Sequence, residues 1–187
     1  MARILALYGS PRRGGTTDTV LDVFIEEARA RGHEVEEVRL CSLRILPCTE
    51  CGACNLTGTC TLVDSMNSLY GKVRDAEHIV IAVPVFFSSV PSQVKAFVDR
   101  FQCWWVARER LGREPRPRGG WLVPLVAGAR GSEKDLACVR RTLAAFADTA
   151  GFAMGSGVFI QAEEPRDVPR KSALKEMARG VLEEIEG

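Results

Sequence analysis

Four of the seven cysteines in this 187-residue chain fall within thirteen residues, Cys48-Thr-Glu-Cys51-Gly-Ala-Cys54-Asn-Leu-Thr-Gly-Thr-Cys60. The spacing is Cys-x2-Cys-x2-Cys-x5-Cys. Cluster iron prefers thiolates, and four close cysteines can wrap a four-iron, four-sulfur cubane from one short loop. Other chemistries compete. Four thiolates can hold a tetrahedral zinc, although zinc-binding Cys pairs are usually well separated. Cys51 and Cys54 alone match the Cys-x-x-Cys redox pair. The plainest alternative is a loop of reduced thiols. The small or turn-forming Gly52, Ala53, Asn55 and Gly58 suit a tightly wound loop.

A second chemical element is Gly9-Ser-Pro-Arg-Arg-Gly-Gly-Thr-Thr17, between an apolar run and an amphipathic stretch. It offers backbone N–H groups, the hydroxyls of Ser10, Thr16 and Thr17, and two arginines at a helix N-terminus. Such a terminus attracts anions through its unpaired N–H groups and dipole. Arg12 can add a bidentate contact to a phosphate. Gly9 and Gly14 are spaced as in a P-loop, but Gly15 stands where that motif requires Lys, which argues against an NTPase. No G-x-G-x-x-G is present, so a dinucleotide fingerprint is missing. A terminal monophosphate remains, against the alternative of a Gly-rich turn with surface hydroxyls.

The elements that must position these residues alternate along the chain. Ile4–Tyr8, Val35–Leu40, Ile79–Val85, Trp121–Ala127 and Ser156–Ile160 are short apolar runs, as in strands buried on both faces of a parallel sheet. Between and after them lie helical stripes: Leu21, Phe24, Ile25 and Ala28, closed by Gly32; Met66, Leu69, Tyr70 and Val73, with Asp64 as N-cap; Val94, Phe97, Val98 and Phe101, entered through Pro91. A fourth stripe, Leu136, Val139, Leu143, Phe146 and Ala147, follows a capping-box-like Ser132–Asp135. Leu174, Met177, Val181, Leu182 and Ile185 form the last. Five strands and five helices predict one doubly wound α/β domain over residues 1–187, with a cysteine-rich loop at 47–61. The Arg-, Pro- and Gly-rich stretch 107–120 reads as a solvent-exposed loop. Trp104 and Trp105, just upstream, read as packing or interface residues. Cys41, Cys103 and Cys138 read as buried small hydrophobes or spare thiols. His33 and His78, each beside a predicted strand, read as structural.

Hydrophobic residues make up 46% and charged residues 26%, and the net charge is +1. This balance gives no electrostatic case for nucleic acid or membrane binding. The first apolar run stops at Gly9, too short for a membrane span and without a signal-peptide pattern. The expected setting is cytoplasmic and reducing, where clustered cysteines read as metal, cluster or redox sites.

Gly-Ser-Pro-Arg-x-x-Gly-x-Thr after an N-terminal strand resembles the flavodoxin-like NADPH-dependent FMN reductase superfamily. The compact cysteine motif, with Pro47 before it, Cys60-Thr-Leu-Val-Asp64 after it and Lys95-Ala-Phe-Val-Asp-Arg100 beyond, is similar to its iron–sulfur flavoprotein branch. The resemblance implies a three-layer sandwich with a five-stranded parallel sheet of order 2-1-3-4-5. It further implies FMN phosphate contacts at Ser10, Arg12, Gly15, Thr16 and Thr17, with Thr16 where relatives often carry Asn. Pro84, Val85, Phe86 and Phe87 match the family segment along the flavin ring, Phe86 as ring contact and Phe87 as core. Gly128, Ala129 and Arg130 would flank the ring after the fourth strand. Cys48, Cys51, Cys54 and Cys60 would hold a [4Fe-4S] cluster that exchanges electrons with FMN. Ser65 departs from the second Asp of many relatives. The implied activity is an FMN-dependent oxidoreductase, with NAD(P)H as donor, a redox protein or small molecule as acceptor, and a homodimer or homotetramer as assembly. A cluster-free NAD(P)H-dependent FMN, quinone or nitro-compound reductase and a non-enzymatic thiol or zinc sensor are the rivals; a sensor has no need of the phosphate loop.

Overall fold

The alternation of apolar runs and amphipathic stripes is realised as a parallel sheet between two helical layers in the computed structural model. The structure describes residues 1–129 and 133–187, and of Glu133 the backbone only. In chain order the elements are β1 (Arg3–Tyr8), α1 (Thr16–Ala30), β2 (Glu34–Arg39), α2 (Cys54–Thr57), α3 (Met66–Asp75), β3 (His78–Pro84), α4 (Ser92–Asp99), α5 (Gln102–Leu111), β4 (Trp121–Gly128), α6 (Glu133–Thr149), β5 (Ala153–Met154), β6 (Val158–Gln161) and α7 (Lys171–Glu186). The sheet order is β2-β1-β3-β4-β5, with β6 also on β4 and every pairing parallel. This is the flavodoxin-like 2-1-3-4-5 topology that the family resemblance implies.

Alternate strand residues face opposite layers. Leu5, Leu7, Ile79, Ile81 and Val83 join a core with residues of α3, α4, α5 and α6. Ile4, Ala6, Tyr8, Val80 and Ala82 join a second core with residues of α1 and α7. Both faces are covered, which is why these strands read as unbroken apolar runs.

The fifth strand differs from the expected Ser156–Ile160. It is split into β5, paired with Trp121 and Leu122, and β6, paired with Leu125–Gly128. The register gains one residue between them: Leu122 faces Met154, but Leu125 faces Val158. The cause is Pro124. Gly155 N–H donates to Leu122 O at 2.9 Å, so even-numbered residues of β4 point to this side, and Pro124 has no N–H to offer. The chain bulges past it at Gly157 (φ +72°), where a Cβ would lie 2.6 Å from the Pro124 ring.

The stretch 107–120 also differs from the expected solvent-exposed loop. Residues 107–111 complete α5, whose buried face is Cys103, Trp104, Val106 and Ala107. Trp104 packs on Phe101, with ring centroids 4.9 Å apart, as expected for a packing residue. Beyond the helix Arg116 is buried rather than solvent-exposed. Its guanidinium donates to the carbonyls of Gly119, Ala150, Gly151 and Ala76, at 3.1–3.3 Å, and lies 3.9 Å from the Phe152 ring centroid. It thus caps the ends of α3 and α6, where carbonyls lack helical partners and the dipole is negative. Its anchor lies at the amino edge of the strands, away from the loops that follow them.

The cysteine loop is tied down by one buried ion pair. Arg100 Nη1 donates to Asp64 Oδ2 at 2.5 Å and to Leu46 O at 2.9 Å, and Nη2 donates to Leu62 O at 3.3 Å. Asp64 also accepts from Leu46 N–H and Met66 N–H, both at 2.8 Å, so it caps the start of α3 as expected. The two side chains are 0% and 1% exposed. Burial works to raise the Asp64 carboxyl, but the Arg100 guanidinium and the two N–H groups outweigh it and hold it below the usual carboxylate range. A depressed carboxyl stabilises the fold above its unfolded pKa of about 3.9, and that stability is lost as pH falls through the folded value. Asp64→Asn leaves a buried guanidinium without its counter-charge. Urea unfolding should therefore show a loss of about 3 kcal/mol at pH 7. The gap between variant and wild type should narrow below about pH 4; equal stability at pH 7 would refute the role of the pair.

Candidate functional site

The loop after β1 begins at a forced glycine. A Cβ on Gly9 would lie 2.7 Å from Val83 Cγ1 and 2.9 Å from Ala82 O. Gly9 N–H donates to Ala82 O at 2.8 Å, so the loop departs from the seam between β1 and β3. It then turns through Gly14 (φ +64°) into α1. Asp18, in the first turn of α1, accepts from Gly14 N–H at 2.9 Å and pairs with Arg39 at 2.9 Å. Thr16 and Thr17 are buried at the helix start, and Thr16 Oγ1 has no hydrogen-bond partner. An unanswered buried hydroxyl among free first-turn N–H groups is a place for an anion's oxygens.

This loop faces the ends of β3 and β4 across a cavity of about 270 Å³. Ser10, Arg12, Gly15, Thr16, Thr17, Pro84, Val85, Phe86, Gly128 and Ala129 all line it, together with Ala127, Ala162 and Glu163. Four chain segments thus converge at the carboxyl edge of the sheet, where open α/β sheets bind ligands. Arg130, with Gly131 and Ser132, lies outside the described residues. The guanidinium of Arg12 does not face the cavity alone: it pairs with Glu164 at 3.3 Å. Glu163 on the far wall and Glu164, the partner of Arg12 beside it, carry no sequence motif, because they follow the split fifth strand.

Phe87 is not a core residue; it is fully exposed. Phe86 and Ser89 exchange backbone hydrogen bonds at 2.9 Å, leaving a two-residue turn of Phe87 (φ +47°) and Ser88 (φ +59°). Positive φ at a bulky residue is strained, and the turn projects Phe87 outward. Phe86 stays at the cavity wall and is 46% exposed, available as an aromatic face.

The cysteine loop encloses its own cavity of about 170 Å³. Left-handed Glu50, Gly52 and Gly58 wind it tightly. Gly58 rests on α5, where a Cβ would lie 2.9 Å from Ala107 Cβ. Cys48, Cys51, Cys54 and Cys60 line the cavity, and so does Cys103 from α5. All seven cysteines are free thiols. Among the described residues, no three His, Cys, Asp or Glu side chains converge on a point that would hold one metal ion. The thiols stand around the walls instead. The Cys51 thiol is pulled below its usual range, chiefly by the Ala53 N–H, and burial pushes Cys54 up. Cys103 is buried, as one of the two expectations for it had it, and it faces this cavity. The one-sided apolar spacing of Cys103, Trp104, Val106 and Ala107 was the signal for the helix that carries it here. Cys41 reaches Gly9 O at 3.5 Å under the phosphate loop, and Cys138 is exposed rather than buried.

The family described as NADPH-dependent FMN reductase matches residues 2–161. An iron–sulfur flavoprotein of Archaeoglobus fulgidus is 30% identical over 175 residues, covering 92% of this chain and 76% of that protein. One from Methanosarcina thermophila is 36% identical over 98 residues, covering 52% and 51%. Among solved structures, an NAD(P)H:quinone oxidoreductase from Methanothermobacter marburgensis superposes with a TM-score of 0.71 at 16% identity, over 100% of this chain and 98% of that one. At that identity the likeness concerns the fold. The chain belongs to the NADPH-dependent FMN reductase family, in its iron–sulfur flavoprotein branch, and is a flavin-dependent oxidoreductase.

Proposed function

We propose that this chain binds FMN at the carboxyl edge of the sheet and exchanges electrons between it and a [4Fe-4S] cluster on Cys48, Cys51, Cys54 and Cys60. The observation that carries the FMN reading is the buried, unpartnered Thr16 hydroxyl at the start of α1, in a cavity open to the ends of β3 and β4. Ser10, Thr16, Thr17 and the backbone around Gly15 suit the phosphate, and Arg12 joins them by exchanging Glu164 for it. Pro84, Val85 and Phe86 offer one wall to a flat ring, and Gly128 and Ala129 another without side-chain bulk. Arg130 belongs to the same proposal by sequence. Phe87, turned outward, is left for contact beyond the cavity. FMN supplies the hydride and single-electron chemistry; this chain supplies placement and electrostatics.

The thiol donors suit cluster iron, and a cavity of about 170 Å³ ringed by cysteines suits a group wider than an ion. NAD(P)H is the proposed donor, and a redox protein or small molecule the acceptor. The assembly is proposed as a homodimer or homotetramer; Leu56 and Val63, each 86% exposed beside the cysteines, give copies an apolar surface to share. No helix among the described residues is long and apolar enough to cross a membrane, and a cytoplasmic location is proposed.

Two experiments test this. Thr16→Val removes the hydroxyl and keeps the shape, and fluorescence titration should show FMN affinity reduced roughly ten- to a hundredfold; unchanged affinity would remove Thr16 from the site. Protein purified without oxygen should contain flavin, iron and sulfide, and Cys51→Ala should lose the iron while keeping FMN. Flavin without iron in the wild type would leave the cluster-free NAD(P)H reductase as the reading.

A further inference from the structure

The wall of the thiol cavity carries a cation with an unused donor. Arg100 lines the cavity and is 1% exposed. Its guanidinium has five N–H hydrogens in a fixed fork and no acceptor. Both Nη atoms are engaged with Leu46, Leu62 and Asp64, on the two flanks of the cysteine loop. Its Nε is buried and has no partner. Leaving a buried charged donor unanswered costs more than leaving a neutral one. Arg116 Nε is also buried without a partner, but it lines none of the cavities described above, whereas Arg100 lines one that can hold an acceptor. Cys48, Cys51, Cys54 and Cys60 line the same cavity, with Glu50, Gln102, Cys103 and Arg110 among the rest of its wall, and four thiolates suit a sulfur-rich group.

We propose that Arg100 is a positioning residue for the group held by these four cysteines. Its Nη atoms fix the loop's two flanks, and its Nε–H donates a hydrogen bond to a sulfur of that group. This rests on the cluster reading above. Hydrogen bonds to cluster sulfurs and nearby positive charge stabilise the more negative, reduced state and so raise the reduction potential. The backbone carbonyl of Arg100 is itself taken by the Tyr70 hydroxyl at 2.7 Å and the Cys103 thiol at 3.3 Å, which anchors the start of the side chain.

Arg100→Lys keeps the cation and its partner Asp64 but has no Nε–H and no fork. Prepared without oxygen, it should bind iron at the wild-type ratio. Its midpoint potential, read by dye-mediated titration followed by electron paramagnetic resonance, should fall by about 30–60 mV, a three- to tenfold change in the one-electron equilibrium. A second measurement needs no variant. In nitrogen-15 spectra of the wild type, the Arg100 Nε–H should exchange with solvent at least tenfold more slowly in cluster-loaded than in cluster-free protein. An unchanged potential in a variant that holds iron overturns the proposal. Equal Nε–H exchange in the two wild-type forms also overturns it, water then being the partner. Absence of iron from the anaerobic wild type overturns the cluster reading and this proposal together.

Discussion

The constraint on which the molecule depends is that β1 is paired on both sides. β2 lies along one edge and β3 along the other, residue for residue from Ile4 to Tyr8. A strand so placed has no free edge, and with helices packed on both its faces the chain leaves it at its carboxyl end. Because β1 leads to β2 on one side while β3 lies on the other, connections diverge there and leave a crevice. Gly9 marks the point, wedged against Val83 and Ala82 where no side chain fits. The phosphate-type loop, the Pro84–Phe86 segment and the Gly128–Ala129 edge meet in one cavity as a consequence.

The cysteine loop solves a different problem. Residues 47–61 contain only the single turn of α2, far too little to hold a shape by themselves. Its order comes from its ends and its back: Arg100 and Asp64 lock Leu46 to Leu62 and Met66, and Gly58 lets α2 seat on α5. A buried ion pair is a poor source of net stability, since desolvation offsets much of the attraction. Its use here is specificity, one geometry for a loop whose thiols must stand in fixed places. Arg116 does comparable work at the opposite edge with carbonyls alone, drawing on two helix ends in place of a carboxylate.

The strands and most of the helices were legible because their signals are local or nearly so: β-type apolar runs, helical stripes and a Gly-rich strand-to-helix turn; the order of the strands came from the family resemblance alone. Where the structure departs from what the sequence leads one to expect, the deciding contact is distant. Pro124 splits the fifth strand from across the sheet. Arg116 is buried because three carbonyls more than thirty residues away in sequence receive it. Phe87 looks like a core aromatic in one dimension, and only the two-residue turn at 87–88 sends it outward. Residues 107–111 are helical because Cys103, Trp104, Val106 and Ala107 found a core to pack on.

By itself the sequence determined the kind of chemistry. Four thiolates at close spacing, hydroxyls and glycines at a helix start, and the absence of the P-loop lysine follow from residue types alone, because donor chemistry is a property of the side chain. Only the tertiary structure decided which donors share a space. It brought Cys103 to the cavity of the other four, set Glu163 and Glu164 against the phosphate-type loop, turned Arg12 toward Glu164, and left Thr16 Oγ1 and Arg100 Nε without partners. Proximity between distant segments is set by how the layers pack. Whether a polar atom is satisfied is a balance over every neighbour that packing brings within reach.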